Sequence, residues 1–199
     1  MTKVLVTYVS KSGSTAEIAR YITKQLRGNS DLNVEVKSIH DIVDLEQYNS
    51  IIVGGFLYRF GWHPQVQEFV LRNIEILKKR NTAFFVVGLG LIKPTKYTPP
   101  FYPMVLDPNF VRAPENPDKL SKLEQQMTLQ NIMKDTLPLF DQIQPKSVGF
   151  FAGRLNFQKL NLIEKVIMHV LSLLTGVKAG DYRNWECIKN WAAELLSLI

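Results

Sequence analysis

The sequence predicts an α/β protein in which a parallel sheet of five strands is covered by helices on both faces. Short apolar segments alternate with segments of helical periodicity along most of the 199 residues. The apolar segments are nearly continuous, as expected for strands that are buried on both faces. Because a helical segment lies between most successive strands, parallel pairing through crossover connections is favoured.

The first half of the chain supplies three of the five strands. Ser14 and Glu17 fit a capping box at the start of the first helix. Gly54 and Gly55 follow the third strand and are predicted to open a loop. In chain order, the predicted elements are a strand at residues 4–9, a helix at 15–26, a short strand around 34–36, a short helix at 42–48 and a strand at 51–53.

The second half supplies the other two strands and one long interruption. Residues 93–117 are rich in proline and aromatic residues, which predicts an insertion at about 93–120 after the fourth strand. The sequence leaves open whether this insertion shapes a pocket, folds as a lid or mediates formation of a homodimer. The other predicted elements are a helix opened by Pro64 and continuing to 77, a strand at 83–87, a polar helix at about 118–136, a strand at 147–151 and helices at about 160–174 and 183–198.

Five strands joined by right-handed crossovers fit the order 2-1-3-4-5 within one domain spanning residues 1–199. In such a sheet, ligands bind beyond the carboxyl ends of the strands, beside the first and third strands. Three segments follow strands at this edge and are therefore the candidate binding loops: residues 10–15, 54–62 and 88–93.

Composition and charge exclude several classes of protein. The single cysteine, Cys187, excludes a disulfide framework and a cysteine-based metal site within one chain, and no metal is expected. The net charge of +6 suits an anionic substrate or surface, but the basic residues are scattered, so no nucleic-acid partner is expected. No uninterrupted apolar stretch is long enough to span a membrane, and a reducing, cytoplasmic location is expected.

The loop SKSGST after the first strand has the features of a phosphate site. Its hydroxyl groups can donate hydrogen bonds, and Gly13 permits a tight turn in which backbone amides converge. The following helix directs its free amides and the positive end of its dipole at the loop. The Walker pattern and the three-glycine dinucleotide pattern are both absent, which favours the phosphate of a mononucleotide. A hydroxyl-rich turn with a capped helix is the alternative.

The same loop resembles the phosphate loop of flavodoxins, which bind FMN. Residues 54–63, GGFLYRFGWH, resemble the flavodoxin-type, menaquinone-dependent protoporphyrinogen oxidases. Lys93-Pro94, residues 152–155 and residues 181–185 are similar to the same family. The resemblance covers nearly the whole chain and departs from the family at 95–145, where the substrate would be determined. It implies a flavodoxin-like three-layer fold.

The resemblance also implies one FMN per chain. Its phosphate would be held by Ser10, Lys11, Ser12, Gly13, Ser14 and Thr15. One side of the flavin ring would be bordered by Phe56, Leu57, Tyr58, Arg59, Phe60 and Gly61. The other side would be lined by Val87, Gly88, Leu89, Gly90, Leu91 and Ile92, with backbone amides at the pyrimidine edge of the ring. A flat ring system needs such apolar walls and a few directed polar groups.

No side chain is identified as a general acid or base, because a bound flavin would carry out the redox chemistry. Three residues remain candidates. Arg59 could stabilise reduced flavin or bind a substrate carboxylate, or it is a surface cation. Tyr58 could contact the ring or simply pack. His63 could relay a proton or lie at a helix N-terminus.

The implied activity is oxidation of protoporphyrinogen IX, or of a similar reduced small molecule, with a quinone or other electron acceptor. A flavodoxin-type electron carrier and an NAD(P)H-quinone reductase-like flavoprotein are the alternatives. Carriers of that type tend to be strongly acidic, so the charge of +6 argues against the first. The apolar segment at 160–174 predicts either a core helix or peripheral contact with the inner face of the membrane.

Overall fold

The computed structural model describes residues 1–59, 61–92, 102–116, 118–159, 162–163, 165–166, 169 and 177–199. The predicted helix at 160–174 and residues 93–101 of the insertion lie wholly or largely outside these residues. The strands of the described chain are β1 Thr2–Tyr8, β2 Leu32–Ser38, β3 Ser50–Tyr58, β4 Gly61–Trp62, β5 Asn81–Gly88, β6 Leu91–Ile92, β7 Met104–Leu106, β8 Val111–Arg112, β9 Ser147–Ala152, β10 Arg154–Leu155 and β11 Gly180–Asp181.

Along the chain, most helices come between successive strands of the central sheet. Short 3-10 helices occur at Ile39–Asp41 and Phe157–Lys159. The α-helices are α1 Ser14–Leu26, α2 Pro64–Arg72, α3 Ile74–Lys79, α4 Lys122–Gln126, α5 Leu129–Ile132, α6 Leu137–Ile143 and α7 Trp185–Leu195. Within the described residues, no helix is both long enough and apolar enough to cross a membrane.

The central sheet confirms the predicted flavodoxin-like class and corrects its size. Its strand order is β2-β1-β3-β5-β9-β7, and all five pairings along this path are parallel. The first five strands are the predicted order 2-1-3-4-5. The sixth strand, β7, comes from the insertion and pairs with the edge of β9, with Met104 opposite Val148. The parallel path therefore has six strands instead of the predicted five, because an aperiodic segment rich in proline gave no strand signal for β7; β4 adds a short antiparallel strand beside β3.

The core lies on both faces of this sheet, as its continuous apolar strands predicted. On one face, Ile18 and Ile22 of α1 pack with Trp191 of α7. On the other face, Val66 of α2 and Phe140 of α6 belong to the second apolar cluster. The sheet is thus the middle layer of three, and its interior strands are covered on both sides.

Several predicted elements differ from those observed. The helix predicted at 42–48 is absent from this described segment, where the Asp44 carboxylate instead accepts a hydrogen bond from the amide of Glu46. The helix opened by Pro64 is interrupted at Asn73, whose side-chain amide donates to the carbonyl of Phe69. The helix predicted at 118–136 is divided into α4 and α5, and α6 follows.

The start of α1 also differs from the prediction. The predicted capping box of Ser14 and Glu17 does not form, because α1 begins at Ser14 and its N-cap is Gly13. Gly13 has φ 98°, a left-handed conformation that strongly favours glycine, and it has no side chain with which to cap. The carboxylate of Glu17 is consequently available for other partners.

Candidate functional site

The loop between β1 and α1 has an unsatisfied hydroxyl group. The Oγ atom of Ser10 is buried and has no hydrogen-bond partner among the described residues. A buried polar group without a partner is costly, so such a group often marks a place where a ligand or water binds. The amides of residues 14–16 precede the first backbone hydrogen bond of α1, which Glu17 donates to Gly13, and helix geometry directs them towards the same loop. The loop therefore offers hydroxyl and amide donors to an anion.

A cleft of about 330 Å³ opens beside this loop. Ser10, Lys11 and Gly13, which belong to the predicted phosphate loop, line the cleft from the loop itself. Ser38 at the end of β2, His40 in the 3-10 helix after it and Gln65 of α2 complete the cleft, and sequence reasoning missed these three residues. The hydroxyl residues Ser14 and Thr15 are buried at the start of α1, 8% and 1% exposed respectively.

The second predicted loop is a hairpin rather than an irregular segment. β3 continues to Tyr58, so Gly54 and Gly55 lie inside the strand and do not open a loop as predicted. β4 returns antiparallel, with Leu57 opposite Trp62 and Tyr58 opposite Gly61. Arg59 at the turn has φ 57°, an uncommon left-handed conformation for a residue with a side chain. Phe60 lies outside the described residues.

Three rings form a cluster at this hairpin. The ring centroid of His63 lies 4.6 Å from that of Phe56 and 5.5 Å from that of Tyr58. The guanidinium of Arg59 lies 5.4 Å from the centre of the Tyr58 ring, and the ammonium of Lys11 lies 6.0 Å from the same centre. Lys11 thereby brings the first loop next to the hairpin.

His63 is the N-cap of α2, as one of its two predicted roles required. Its Nδ1 atom accepts a hydrogen bond from the amide of Gln65 at 3.4 Å, so the neutral ring carries its proton on Nε2. Burial lowers the pKa of His63, and the positive charge of Lys11 lowers it further. The imidazole is therefore neutral at pH 7.

The third predicted segment divides into two parts. Gly88, Leu89 and Gly90 are half-buried at the end of β5. Leu91 and Ile92 are buried, and their amides donate to the carbonyls of Phe110 and Met127. Val87 is also buried, 2% exposed. In this structure the amides of Leu91 and Ile92 are already used, which leaves the first three residues as the accessible part of the segment.

The structure brings the second and third segments together. A Cβ atom on Gly88 would lie 2.8 Å from Cδ1 of Leu57, so the absence of a side chain permits the close approach of the two segments. Gly153, which sequence reasoning did not assign to a ligand, donates its amide to the carbonyl of Gly88 at 2.7 Å. A Cβ on Gly153 would also lie 3.8 Å from Oγ of Ser14. All three predicted loops therefore meet at the carboxyl edge of the sheet.

An ion-pair network beside α1 was also missed. Glu17 accepts hydrogen bonds from Arg154 at 2.8 Å and from Arg183 at 2.5 Å. Arg183 in addition pairs with Asp181. These partners are 137 and 166 residues from Glu17 in sequence, and only the similarity of residues 152–155 and 181–185 to a known family singled them out.

The parallel strand order, with the candidate loops at the carboxyl edge of the sheet, defines a doubly wound α/β protein. The flavodoxin domain family matches residues 5–179. The chain belongs to the flavodoxin domain family.

Individual relatives are distant. Protoporphyrinogen IX dehydrogenase (quinone) from Escherichia coli strain K12 is 22% identical over 203 residues, covering 98% of this chain and 96% of that protein. Among solved structures, a flavodoxin mutant from Pseudomonas aeruginosa is 13% identical with a TM-score of 0.47, covering 99% of this chain and 98% of the other. The apo form of an NADH:FMN oxidoreductase is 12% identical with a TM-score of 0.48, covering 98% and 90%.

Proposed function

We propose that this protein binds FMN and is an oxidoreductase that transfers electrons from protoporphyrinogen IX, or a similar reduced small molecule, to a quinone. The buried and unpartnered hydroxyl of Ser10, beside the free amides of α1, is the observation that carries the cofactor assignment. Membership of the flavodoxin domain family and similarity to a quinone-linked dehydrogenase over 98% of the chain support the activity.

The first loop fits the phosphate of FMN. The Ser10 hydroxyl would gain the acceptor that it lacks, and the amides of residues 14–16 would donate to the other phosphate oxygens. Gly13 makes this possible because its φ of 98° turns the chain into the helix directly at the loop. Lys11 adds a positive charge at the same place, which complements a phosphate dianion.

The other two loops fit the flavin ring. Phe56, Leu57, Tyr58, Arg59 and Gly61 would border it from the β3–β4 hairpin, and Gly88, Leu89 and Gly90 would border it from the end of β5. When bound, FMN supplies a ring that accepts and releases electrons, with no requirement for an acidic or basic side chain. The protein residues would bind and orient this ring and exclude water from one of its faces.

His63 is the residue placed to hold a proton near the hairpin. Its neutral ring carries the proton on Nε2, since Nδ1 is used by the helix cap. Its lowered pKa favours the neutral ring at pH 7, in which the Nε2–H group could donate a hydrogen bond to a bound ligand; a proton transferred to the ring would leave it as the imidazolium. Arg59, with its left-handed backbone at the hairpin turn, is the cation that would meet a substrate carboxylate.

FMN binding is tested by fluorescence titration of the purified apoprotein with FMN and with riboflavin, which lacks the phosphate. We expect FMN to bind at least tenfold more tightly than riboflavin. Ser10→Ala should remove most of this difference while leaving riboflavin affinity within about twofold. A protein that binds neither compound would disprove the cofactor assignment.

Activity is tested with the FMN-loaded protein under anaerobic conditions. We expect oxidation of protoporphyrinogen IX to depend on an added menaquinone analogue. No turnover, together with rapid electron exchange with a partner reductase, would instead identify an electron carrier. Turnover of the quinone with NADH or NADPH alone would identify a quinone reductase. Either of these last two results would contradict the proposed activity without contradicting the proposed FMN site.

A further inference from the structure

A four-residue charge network lies against the start of α1, the helix that begins at the phosphate loop. Glu17 in its first turn accepts from Arg154 and Arg183, and Arg183 also pairs with Asp181. Arg154 and Asp181 are opposite each other in the antiparallel pair β10–β11. We call these four residues, Glu17, Arg154, Asp181 and Arg183, the α1 brace.

The brace is attached to the predicted flavin loops through the backbone. The amide of Gly153 donates to the carbonyl of Gly88, and the carbonyl of Gly153 accepts from the amide of Tyr182. Gly153 immediately precedes Arg154, and Tyr182 immediately precedes Arg183. The brace thus connects the end of β5 with the first turn of α1. The two backbone hydrogen bonds of Gly153 hold the chain next to both arginines in place.

Side-chain packing holds Arg183 in this position. Its guanidinium lies 4.5 Å from the centre of the Trp185 ring, and Trp185 packs on Tyr21 with ring centroids 4.8 Å apart. Tyr21 is one helical turn after Glu17 on α1, so its ring lies on the same side of the helix as the brace. The Arg183 side chain is 5% exposed, whereas Arg154 is 27% exposed. Arg154 is therefore the arginine that can be changed with less damage to folding.

A carboxylate in the first turn of α1 has two opposing effects. It interacts favourably with the helix dipole, but it also repels an anion that binds at the same helix end. Burial by itself would raise the pKa of Glu17, yet the hydrogen bond and charge of Arg183, then those of Arg154, hold it below its usual value. Glu17 is consequently a full negative charge at pH 7, close to the phosphate loop.

We propose that Arg154 and Arg183 are positioning residues that neutralise Glu17, so that a phosphate dianion can bind at the N-terminus of α1. The proposal rests on the proposed binding of FMN. With two arginines and two carboxylates the brace has no net charge, which leaves Lys11 and the α1 dipole to attract the phosphate. Loss of one arginine gives the brace a net negative charge beside the anion, and loss of the Glu17 charge gives it a net positive one.

The test is a charge cycle measured with FMN and riboflavin. We expect Arg154→Gln to weaken FMN binding by roughly fivefold and Glu17→Gln to strengthen it by roughly twofold. The double variant should return to within about twofold of the unchanged protein. Riboflavin affinity should stay within about twofold in all three, because riboflavin lacks the phosphate. The FMN effects should shrink as salt is added, since they are electrostatic.

A purely structural brace gives a different pattern. If the brace only supports the fold, each single variant should lose affinity for FMN and for riboflavin to the same extent, and the double variant should bind both most weakly. This result would overturn the proposal. Arg72→Gln, which removes an exposed arginine paired with Glu68 on α2, is the matched control and should change neither affinity. If Arg154→Gln lowers the melting temperature, Arg154→Lys separates loss of charge from loss of stability. It keeps the positive charge and should therefore restore FMN affinity. Absence of FMN binding in the unchanged protein would overturn the proposed function as well.

Discussion

The ring of Phe85 fills the space that a side chain on Gly54 would need. The two residues are opposite each other on the neighbouring parallel strands β5 and β3. A Cβ atom built on Gly54 would lie 1.8 Å from Cζ of Phe85, far inside van der Waals contact. Phe85 is fully buried in the apolar cluster that also contains Trp191, so its ring has no space into which to move.

We therefore expect Gly54→Ala to lower the free energy of unfolding by about 3 kcal/mol. Urea unfolding monitored by circular dichroism measures the change. Gly180→Ala is the control, because its Cβ would meet its nearest neighbour at 3.6 Å, an ordinary contact, and it should cost less than about 1 kcal/mol. Equal effects of the two substitutions would contradict the packing of Phe85 against Gly54.

Glu35 makes the stability of the protein sensitive to acid. Its carboxylate accepts from Lys37 at 2.6 Å and from the Tyr48 hydroxyl at 2.8 Å, and it lies 3.4 Å from Lys3. The hydrogen bond from Lys37, followed by that from Tyr48, lowers the pKa of Glu35 to about 2. Because the folded pKa is below the usual value of 4.5, the stabilisation is complete above pH 4.5 and is lost as the pH falls towards 2.

Glu35→Gln should therefore flatten the dependence of stability on pH between 4.5 and 2. At pH 7 we expect a loss of about 1 kcal/mol, because a side chain that is 30% exposed is partly screened by solvent. Thermal unfolding measured from pH 2 to pH 7 gives both effects. Glu68→Gln, at an exposed pair on α2, is the control and should lower stability at pH 7 by less than Glu35→Gln does. An unchanged profile in Glu35→Gln would refute the assignment.

The charge of Lys11 acts on His63 across the candidate site. Burial is the larger cause of the lowered pKa of His63, and Lys11 is the second. Lys11→Ala should accordingly raise the pKa of His63 without bringing it to the usual value of 6.5. Titration of the ring protons by NMR measures this shift. Lys24→Ala, in the last turn of α1, is the control and should leave the pKa of His63 unchanged. An unchanged pKa of His63 in Lys11→Ala would contradict the closeness of Lys11 to this ring.

The thiol of Cys187 is expected to react slowly in the folded protein. Burial, and secondarily the charges of Asp107 and Glu194, raise its pKa to about 11. At pH 8 only about one thiol in a thousand is then the reactive thiolate. Labelling with a disulfide reagent at pH 8 should be at least tenfold slower in buffer than in concentrated urea. Rapid labelling of the native protein would show that the thiol is not protected.

The arrangement along the chain was predictable because it depends on local patterns. Val4–Val6 and Ile51–Val53 are continuous apolar segments, and the structure places them in the buried strands β1 and β3. The position of SKSGST between a strand and a helix was equally clear. Helix ends were less predictable, since Asn73 interrupts one helix through a side-chain hydrogen bond that competes with the backbone.

The sequence by itself determined the alternation of strands and helices, the parallel class of the sheet and the position of a hydroxyl-rich loop after the first strand, because each depends on neighbouring residues. Only the tertiary structure decided that β7 joins the sheet, that Gly54 lies inside a strand against Phe85 and that Glu17 pairs with Arg154 and Arg183. These relationships connect residues that are far apart in sequence. No local pattern encodes them, since they arise only when folding pairs or packs segments that are distant along the chain.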